Sequence, residues 1–304
     1  MRYKVIVNPI AGSGLGAKVT PDIHNLLSAQ GLDYDLASTT WPGEAVELAR
    51  QAVLDGYDTV VAVGGDGTYH EAINGMMTAS NGETVGNLGV LPVGSACDFA
   101  YMIGVSPNLE EACLQLARHQ TKVVDVGRVT VDGVPRYFDN TVGVGFDGVV
   151  TLERRKFKYL RGMALYLPVV LKTVFVSFHA PRSVVEYEGD GEKQRLEQDV
   201  LMLTVCIGRR EGGGFYIAPD AQNDDGLLEL CLTENIPRLQ ILRLIPHFMK
   251  GTHVDKPPVT MARGTRVAIS SPDNLIAHAD GELLCTEAHH IECEILPQRI
   301  RVVC

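Results

Sequence analysis

The sequence lacks the segments that would anchor or export a protein. No run of about 18 uncharged apolar residues occurs in it, which argues against a transmembrane helix. The first residues lead into an apolar segment, YKVIVN, without the apolar core of a secretion signal. We therefore expect a soluble cytoplasmic protein.

Cysteine is present but never in the closely spaced pairs of a metal or redox site. The seven cysteines are odd in number and scattered, so they indicate neither a zinc site nor a disulfide framework. Most lie in apolar runs such as LTVCIG and LELCL, where they act as small buried hydrophobic residues. This usage is typical of a reducing compartment.

Positive charge is in deficit. Lys and Arg number 27 against 37 Asp and Glu, which gives a net charge of −10. Such a surface repels phosphate backbones and argues against a general nucleic-acid binder. What remains is ordinary globular composition, 45% hydrophobic and 21% charged, over 304 residues. That length supports one or two domains with a substantial core.

The chain divides into two halves with different hydrophobic periodicity. Residues 1–130 alternate short, nearly all-apolar runs with helical patterns, which predicts an α/β domain with a mostly parallel sheet. Residues 131–304 carry period-2 runs and turns, which predicts an antiparallel β-sandwich interrupted by a long helix over about 151–178. We expect a cleft between the domains, and the final strand is a candidate to pack against the first domain.

The first glycine-rich segment is NPIAGSGLGA, and it does not have Walker A spacing. Gly12, Gly14 and Ala17 satisfy the looser dinucleotide pattern G-x-G-x-x-A. Asp33 and Asp35 follow at about the distance of a ribose-binding acid. A dinucleotide site and an ordinary surface loop both stay open for this segment.

The second glycine-rich segment is VAVGGDGTYHEAING. Its three glycines allow close backbone approach to a ligand, and their N–H groups at a helix start form an anion site. Thr68 and Glu71 have capping-box spacing, which predicts a helix from Thr68. Asp66 would repel phosphate unless a divalent cation lies between them. A magnesium–nucleoside triphosphate complex satisfies all of these features.

Further acids occur in three turns. Asp98 follows LPVGS near a predicted helix start, where either capping or an active-site role is open. Asp225-Gly226 and Asp280-Gly281-Glu282 lie beside predicted strands, and each taken alone favours a hairpin turn over a functional site.

Together these segments resemble the diacylglycerol kinase catalytic-domain superfamily, which includes bacterial lipid kinases and sphingosine kinases. The resemblance runs in order through NPIAGSG, GGDGTYHEAING, PVGSACDFA, APDAQNDDGLLEL and DGE, and so covers nearly the whole chain. GGDGT alone is shared with NAD kinases, whereas PVGSACDFA and DDGLLEL separate the chain from them. An NAD kinase and a non-catalytic nucleotide or lipid sensor remain the alternatives.

The resemblance implies that ATP, Mg²⁺ and a membrane-presented lipid hydroxyl meet at the cleft, with diacylglycerol or a related lipid as acceptor. It implies Glu282 as general base, with Asp280 the nearest competitor, and catalytic roles for Asp66 and Asp98. A structural Mg²⁺ would be held by Asp225 and by the carbonyls of Gln222 and Leu227, with Asp98 joining Asp225 in an acidic network. The residues implied in nucleotide binding are Asn8, Pro9, Ile10, Ala11, Gly12, Thr40, Gly64, Gly65, Asp66, Gly67, Thr68, Tyr69, His70 and Ser95.

Two features leave the details open. The family commonly has Thr-x-Asn where this chain has Ser95-Ala96-Cys97; serine keeps the hydroxyl, whereas Cys97 replaces an amide with a weak hydrogen-bonding group. Residues 153–178 join a basic segment, ERRKFKYLR, to an apolar one. This pattern suits either peripheral contact with an anionic inner membrane surface or an interdomain core helix. The identity of the lipid and the oligomeric state also stay open.

Overall fold

The computed structural model describes residues 1–80, 84–156, 163–189 and 192–304. The first half alternates strands and helices along the chain. Its elements are β1 (Arg2–Val7), α1 (Ala11–Ala29), β2 (Asp33–Ser38), α2 (Glu44–Leu54), β3 (Thr59–Gly64), α3 (Asp66–Ala79), β4 (Val85–Pro92), α4 (Asp98–Ile103) and α5 (Leu109–Arg118).

The first four strands form one layer with all of their carboxyl ends at the same edge. β1 runs parallel to β2 and to β3, and β3 runs parallel to β4. Every residue of β3, TVVAVG, is buried, as expected for a strand covered by helices on both faces. The loops that follow these strands therefore gather at one edge of the sheet.

The second half is built mainly from antiparallel strands. Its elements are β5 (Thr121–Val131), β6 (Val134–Phe138), β7 (Thr141–Gly145), α6 (Phe146–Arg154), α7 (Met163–Lys172), a π-helical turn (Thr173–Ser177), β8 (Arg182–Gly189), β9 (Glu192–Cys206), β10 (Leu228–Glu234), α8 (Arg238–Lys250), β11 (Val259–Gly264), β12 (Arg266–Ala279) and β13 (Glu282–Val303). One buried apolar cluster lies among the strands and another beneath the helices of this half.

The long strand β13 connects the two halves. Its first part pairs antiparallel with β12 and β5, and its last part, around Ile300–Val302, pairs parallel with β4. The register shifts between Leu296 and Ile300, where Gln298 has a positive φ of 54°. Because one strand belongs to both layers, the turn that precedes it is tied to both halves of the molecule.

The predicted single helix over 151–178 is wrong. α6 begins at Phe146 and ends at Arg154, and α7 is followed by the π-helical turn Thr173–Ser177. Pro168 lies inside α7, where it removes a helix hydrogen bond and favours irregular winding. Residues 157–162 of the predicted helix lie outside the described residues. In the described ranges, no helix has both the length and the apolar content to cross a bilayer.

The predicted capping box is also wrong. α3 begins at Asp66 with Gly65 as its N-cap residue, and no side chain caps it. The Thr68 hydroxyl instead accepts a hydrogen bond from Asn8 Nδ2 (3.0 Å). The Glu71 carboxylate accepts from the backbone N–H groups before and within α2 (3.0 and 3.3 Å). Neighbouring elements thus take the groups that capping would have used.

Candidate active site

The nucleotide-binding residues suggested by the sequence follow the carboxyl ends of adjacent strands. Asn8 follows β1, Thr40 follows β2 by one further residue, Gly64 ends β3, and Ser95 lies beyond β4. In parallel α/β sheets this edge is where ligands bind, because the strand ends and helix N-termini meet there. The sheet topology therefore brings these loops together.

Asn8 links the first two glycine-rich loops. Its Nδ2 donates to Thr68 Oγ1 at 3.0 Å, and its Oδ1 accepts from the Ile10 N–H at 3.2 Å. The chain then passes through three consecutive residues with positive φ, from Gly12 to Gly14, before α1 becomes regular. Pro9, Ile10 and Ala11 lie in this tight segment.

Some of the predicted nucleotide residues point inward. The Tyr69 hydroxyl donates to the Gly64 carbonyl (2.9 Å), and His70 Nδ1 contacts Asp280 Oδ2 (2.7 Å). Both side chains are buried. Thr40 uses its hydroxyl on Glu44 (3.0 Å). A nucleotide contact from Tyr69 or His70 would therefore have to come from the main chain.

The partly buried Asp66 and the buried Asp98 lie at the loops after β3 and β4, and Asp98 connects them to the second half of the protein. Asp66 Oδ1 accepts from the Phe99 N–H (3.1 Å), and burial raises the pKa of Asp66. Asp98 forms an ion pair with Arg210 (2.8 Å) and accepts from the Gly213 N–H (3.0 Å). Burial, with the nearby charge of Asp66, raises the pKa of Asp98 to about 7.

Asp280 is surrounded by hydrogen-bond donors. Its Oδ1 accepts from the N–H groups of Asn140 (3.0 Å) and Thr141 (2.9 Å), and its Oδ2 from the Asp139 N–H (3.1 Å) and from His70. Burial opposes ionisation, but the hydrogen bond and charge of His70 hold the pKa of Asp280 at about 2. A carboxylate engaged in this way is poorly suited to accept a further proton.

Glu282, two residues later, is placed differently. Its side chain is 48% exposed and lies 3.7 Å from Arg155. A Cβ atom built on Gly67 would lie 3.2 Å from Glu282 Oε1, so the absence of a side chain there leaves room for the carboxylate. The Asp-Gly-Glu turn of one half thus reaches the GGDG loop of the other.

Asp225 does not contact Asp98 directly. The Asp225 carboxylate pairs with Arg263 (2.7 Å) and accepts from the Leu227 N–H (3.1 Å). The turn around it is braced by Asp125, whose Oδ2 accepts from the Gly226 N–H (2.8 Å). Gln222 and Asp98 both line a second groove. The two acids expected to form one network therefore have separate arginine partners.

A cavity of about 460 Å³ lies between the halves and has two kinds of wall. Asp66, Gly67, Ser95 and Glu282 lie on its polar side. The apolar wall is formed by side chains of α6, α7, α8 and β9: Val150, Val170, Leu201, Met202, Ile241, Leu244, Ile245 and Phe248.

The structure adds polar residues that the motifs did not indicate. Asp147 and Glu211 line the cavity, His278 lies beneath them, and Arg210 and Arg155 pair with predicted site acids. His278 lies near the end of β12, two residues before Asp280, so its closeness to Asp280 in the sequence is a local signal. No local pattern connects the others, because they come from separate elements.

Both halves of the chain match known domain families. Residues 2–129 match the diacylglycerol kinase catalytic domain, and residues 140–304 match the YegS C-terminal NAD kinase β-sandwich-like domain. The second match spans more than half of the chain, so the chain belongs to the family of this YegS C-terminal domain, and its first part matches the diacylglycerol kinase catalytic domain. The resemblance inferred from the motifs is confirmed, and with it the assignment as an ATP-dependent lipid kinase.

Individual relatives extend this result over most of the chain. A diacylglycerol kinase of Bacillus subtilis is 26% identical over 283 residues, covering 92% of this chain and 89% of the relative. One of Mycobacterium tuberculosis is 27% identical over 286 residues, covering 93% and 89%. A crystal structure of a diacylglycerol kinase from Bacillus anthracis has a TM-score of 0.74 at 21% identity, covers 99% of this chain and 96% of its own, and supports the fold.

Proposed function

We propose that this lipid kinase transfers the γ-phosphoryl group of Mg-ATP to the free hydroxyl of diacylglycerol or a related lipid, using the cavity between its halves. The observation that carries the proposal is the position of Glu282 over Gly67 at the rim of that cavity. This arrangement sets a carboxylate beside a glycine-rich phosphate loop in a cavity that also has an apolar wall. A lipid hydroxyl entering along the apolar wall would meet both.

Glu282 is proposed as the general base. It would accept the proton of the lipid hydroxyl as that oxygen forms a bond to the γ-phosphorus, while the bond from the γ-phosphorus to the β–γ bridging oxygen breaks and ADP leaves. The exposure of Glu282 and the saturation of Asp280 with donors both support this choice. Arg155, 3.7 Å from Glu282, would help to orient the carboxylate before substrate binds.

The nucleotide is proposed to lie along the loops after β1 to β4. Backbone N–H groups at Gly64, Gly65 and Gly67, with the N-terminus of α3, suit a triphosphate. Ser95 offers a hydroxyl on the same side of the cavity as Asp66. Bound Mg²⁺ would offset the negative charge of the triphosphate. Asp66 offers the oxygen donors that Mg²⁺ prefers.

A second, structural Mg²⁺ at Asp225 fits the donor chemistry. The carboxylate and the carbonyls of Gln222 and Leu227 are hard oxygen ligands, and Asp125 and Asp224 lie close enough to raise the local negative charge. Arg263 already neutralises Asp225, so an ion here would compete with that guanidinium for the carboxylate. We therefore propose a Mg²⁺ site at Asp225 in which the ion competes with Arg263.

The membrane-facing surface is proposed to be apolar rather than basic. Phe175 and Val176 of the π-helical turn are 44% and 68% exposed, and Leu239 at the start of α8 is 66% exposed. α8 packs against that turn. The basic residues suggested by the sequence are engaged in part, because Arg155 pairs with Glu282 and Lys156 with Glu153.

A lipid panel tests the function directly. We would measure transfer of labelled phosphate from ATP to diacylglycerol, phosphatidylglycerol, a sphingoid base and NAD, in mixed micelles and in solution. Asp66→Ala should abolish transfer to lipid without unfolding the protein. Asp33→Ala, which removes an exposed acid at the dinucleotide-type position, is the matched control and should change little. Transfer to NAD alone would contradict the lipid assignment.

Vesicle sedimentation tests the membrane surface separately. The variant Phe175→Ser/Val176→Ser/Leu239→Ser should bind anionic vesicles less than the wild type at all salt concentrations, because it removes apolar contact. Leu54→Ser, at an equally exposed leucine of α2 (55%), serves as control. Changing Arg154, Arg155 and Lys156 to Glu should weaken binding only at low salt. Unchanged sedimentation of the triple serine variant would refute the proposal that this surface contacts the membrane.

A further inference from the structure

The cavity contains a polar cluster within its largely apolar part. The carboxylate–imidazole cluster consists of Asp147 at the start of α6, Glu211 in the loop after β9, and His278 of β12. His278 Nε2 lies 3.2 Å from Asp147 Oδ2 and 3.2 Å from Glu211 Oε1. The imidazole is fully buried, whereas each carboxylate keeps 17% of its side chain exposed and lines the cavity.

The backbone leaves space for this cluster. Gly143 of β7 lies directly opposite His278 in the pairing of β7 with β12. A Cβ atom at position 143 would lie 2.3 Å from Asp147 Oδ2 and 2.4 Å from His278 Nε2, far inside van der Waals contact. Only glycine at this position allows the three polar groups to meet.

The position of the imidazole proton decides what the cluster can bind. The Gly281 N–H donates to His278 Nδ1 at 3.2 Å, so Nδ1 offers its lone pair and the ring proton resides on Nε2. Burial opposes the imidazolium, but the charges and hydrogen bonds of Glu211 and Asp147 raise the pKa of His278 well above its usual value. Metal ligation through Nε2 would require the loss of the proton that both carboxylates stabilise. The cluster is therefore not a metal site.

One imidazole nitrogen faces two carboxylates, so a single ring cannot satisfy both acids. One Nε2–H is shared between both acids, and its alignment with either is poor. The hydroxyls of Thr204 and Thr141 contact Asp147 (3.4 Å) and Glu211 (3.2 Å), but they are neutral donors. Burial and the neighbouring Asp147 charge raise the pKa of Glu211. Acids in this state gain most from a ligand that brings a further donor.

We infer that the carboxylate–imidazole cluster is a headgroup subsite that selects acceptor lipids with a second hydrogen-bond donor, a hydroxyl or a protonated amine, near the hydroxyl that is phosphorylated. The inference rests on the proposed function of the cavity. Diacylglycerol presents an ester beside its free hydroxyl, and ester oxygens only accept hydrogen bonds. An anionic phosphate headgroup would be repelled by both acids. A site built to bind donors discriminates strongly against analogues that lack them.

Three lipids with equal acyl or alkyl chain length test the selection. They are diacylglycerol with no second donor, monoacylglycerol with a second hydroxyl, and a long-chain 2-amino alcohol with an amine. For the wild type, kcat/KM for both donor lipids should exceed that for diacylglycerol by about 10–100-fold, the effect of one hydrogen bond to a charged group.

Two substitutions at position 211 separate the two kinds of donor. Glu211→Gln keeps an acceptor oxygen but removes the charge, so it should reduce the preference for the amine and retain that for the second hydroxyl. Glu211→Met removes the acceptor as well and should abolish both preferences. Glu110→Gln, at an exposed acid of α5, is the control for the loss of one charge and should leave the ratios unchanged.

The same micelles allow binding to be measured without turnover. A lipid that binds the folded protein raises its Tm, so the two donor lipids should stabilise the wild type more than Glu211→Met. Equal kcat/KM for all three lipids, or ratios that Glu211→Gln and Glu211→Met leave unchanged, would overturn the subsite while leaving lipid phosphorylation intact. If no lipid is phosphorylated, the proposed function fails. The Tm shifts then test the subsite on their own, and equal Tm shifts for all three lipids, or for the wild type and Glu211→Met, would refute it.

Discussion

Two Asp-Gly turns in this protein are similar in sequence and different in environment. Asp280 is buried and accepts hydrogen bonds from three backbone N–H groups and His70. Asp225 lies near the surface and pairs with Arg263, whose side chain is 47% exposed. The first turn is held by three backbone N–H groups of its own half and by His70 of the other half, and the neighbouring Glu282 faces the glycine-rich loop. The second is held mainly by its own half.

The comparison shows that the role of an acid-Gly pair depends on the residues that pack around it. Both turns place glycine where a positive φ is needed, at Gly226 (74°) and Gly281 (79°). Their shared local chemistry explains why both segments form turns, but it does not explain the different roles of the two aspartates. The donors around Asp280 come from a loop some 140 residues away in sequence, and from α3 of the other half.

The largest effect is expected from Asp280→Asn. Asparagine tolerates the positive φ of this position (50°), so the substitution changes only the buried carboxylate. An amide cannot accept from all four donors, and the free energy of unfolding should fall by about 3–5 kcal/mol. Urea denaturation measures this loss. A loss below about 1 kcal/mol would show that the two turns differ less than their contacts suggest.

Glu282→Gln should affect activity and not stability. A positioned base contributes about 10²–10⁴-fold, so lipid phosphorylation should fall by that factor. The KM for ATP should change little, because the nucleotide loops belong to the other half. The unfolding free energy should stay within about 0.5 kcal/mol, since the side chain is half exposed. If Glu282→Gln keeps its turnover, Glu282 is not the base.

Asp98 predicts a pH dependence of stability. Burial raises its pKa in the folded protein to about 7, well above that of the unfolded chain. Folding is therefore favoured by its bound proton at low pH, and this contribution is lost as the pH rises from about 4 through about 7. The Tm of the wild type should fall over this window by more than the Tm of Asp98→Asn. Parallel Tm curves would contradict the assignment.

Asp225→Ala should have the smallest effect. The pair with Arg263 is partly exposed, so its loss should cost about 1 kcal/mol or less. If Mg²⁺ binds at this turn, the Tm of the wild type should rise with Mg²⁺ and that of Asp225→Ala should not. Arg263→Met should enlarge the rise, because it removes the competing cation. A wild-type Tm that does not change with Mg²⁺ would refute the proposal of a structural ion at this turn.

The fold class and the order of the loops could largely be predicted from the sequence. Apolar runs, their periodicity and the glycine positions are local properties, and they pointed to two halves with the glycine-rich loops beside strands. Local chemistry misjudged Thr68 and Glu71, because Asn8 and the start of α2 supply their partners. It also gave no indication that His70 turns inward to Asp280.

Composition and periodicity thus established an acidic chain with an α/β half and a strand-rich half, and the ordered motifs pointed to a lipid kinase. The different environments of Asp280 and Glu282, the pairing of Asp98 with Arg210, and the meeting of Asp147, Glu211 and His278 came only with the folded chain. Burial and hydrogen-bond saturation depend on groups brought together across the two halves. Those contacts set which carboxylates are saturated with donors and which still face the cavity.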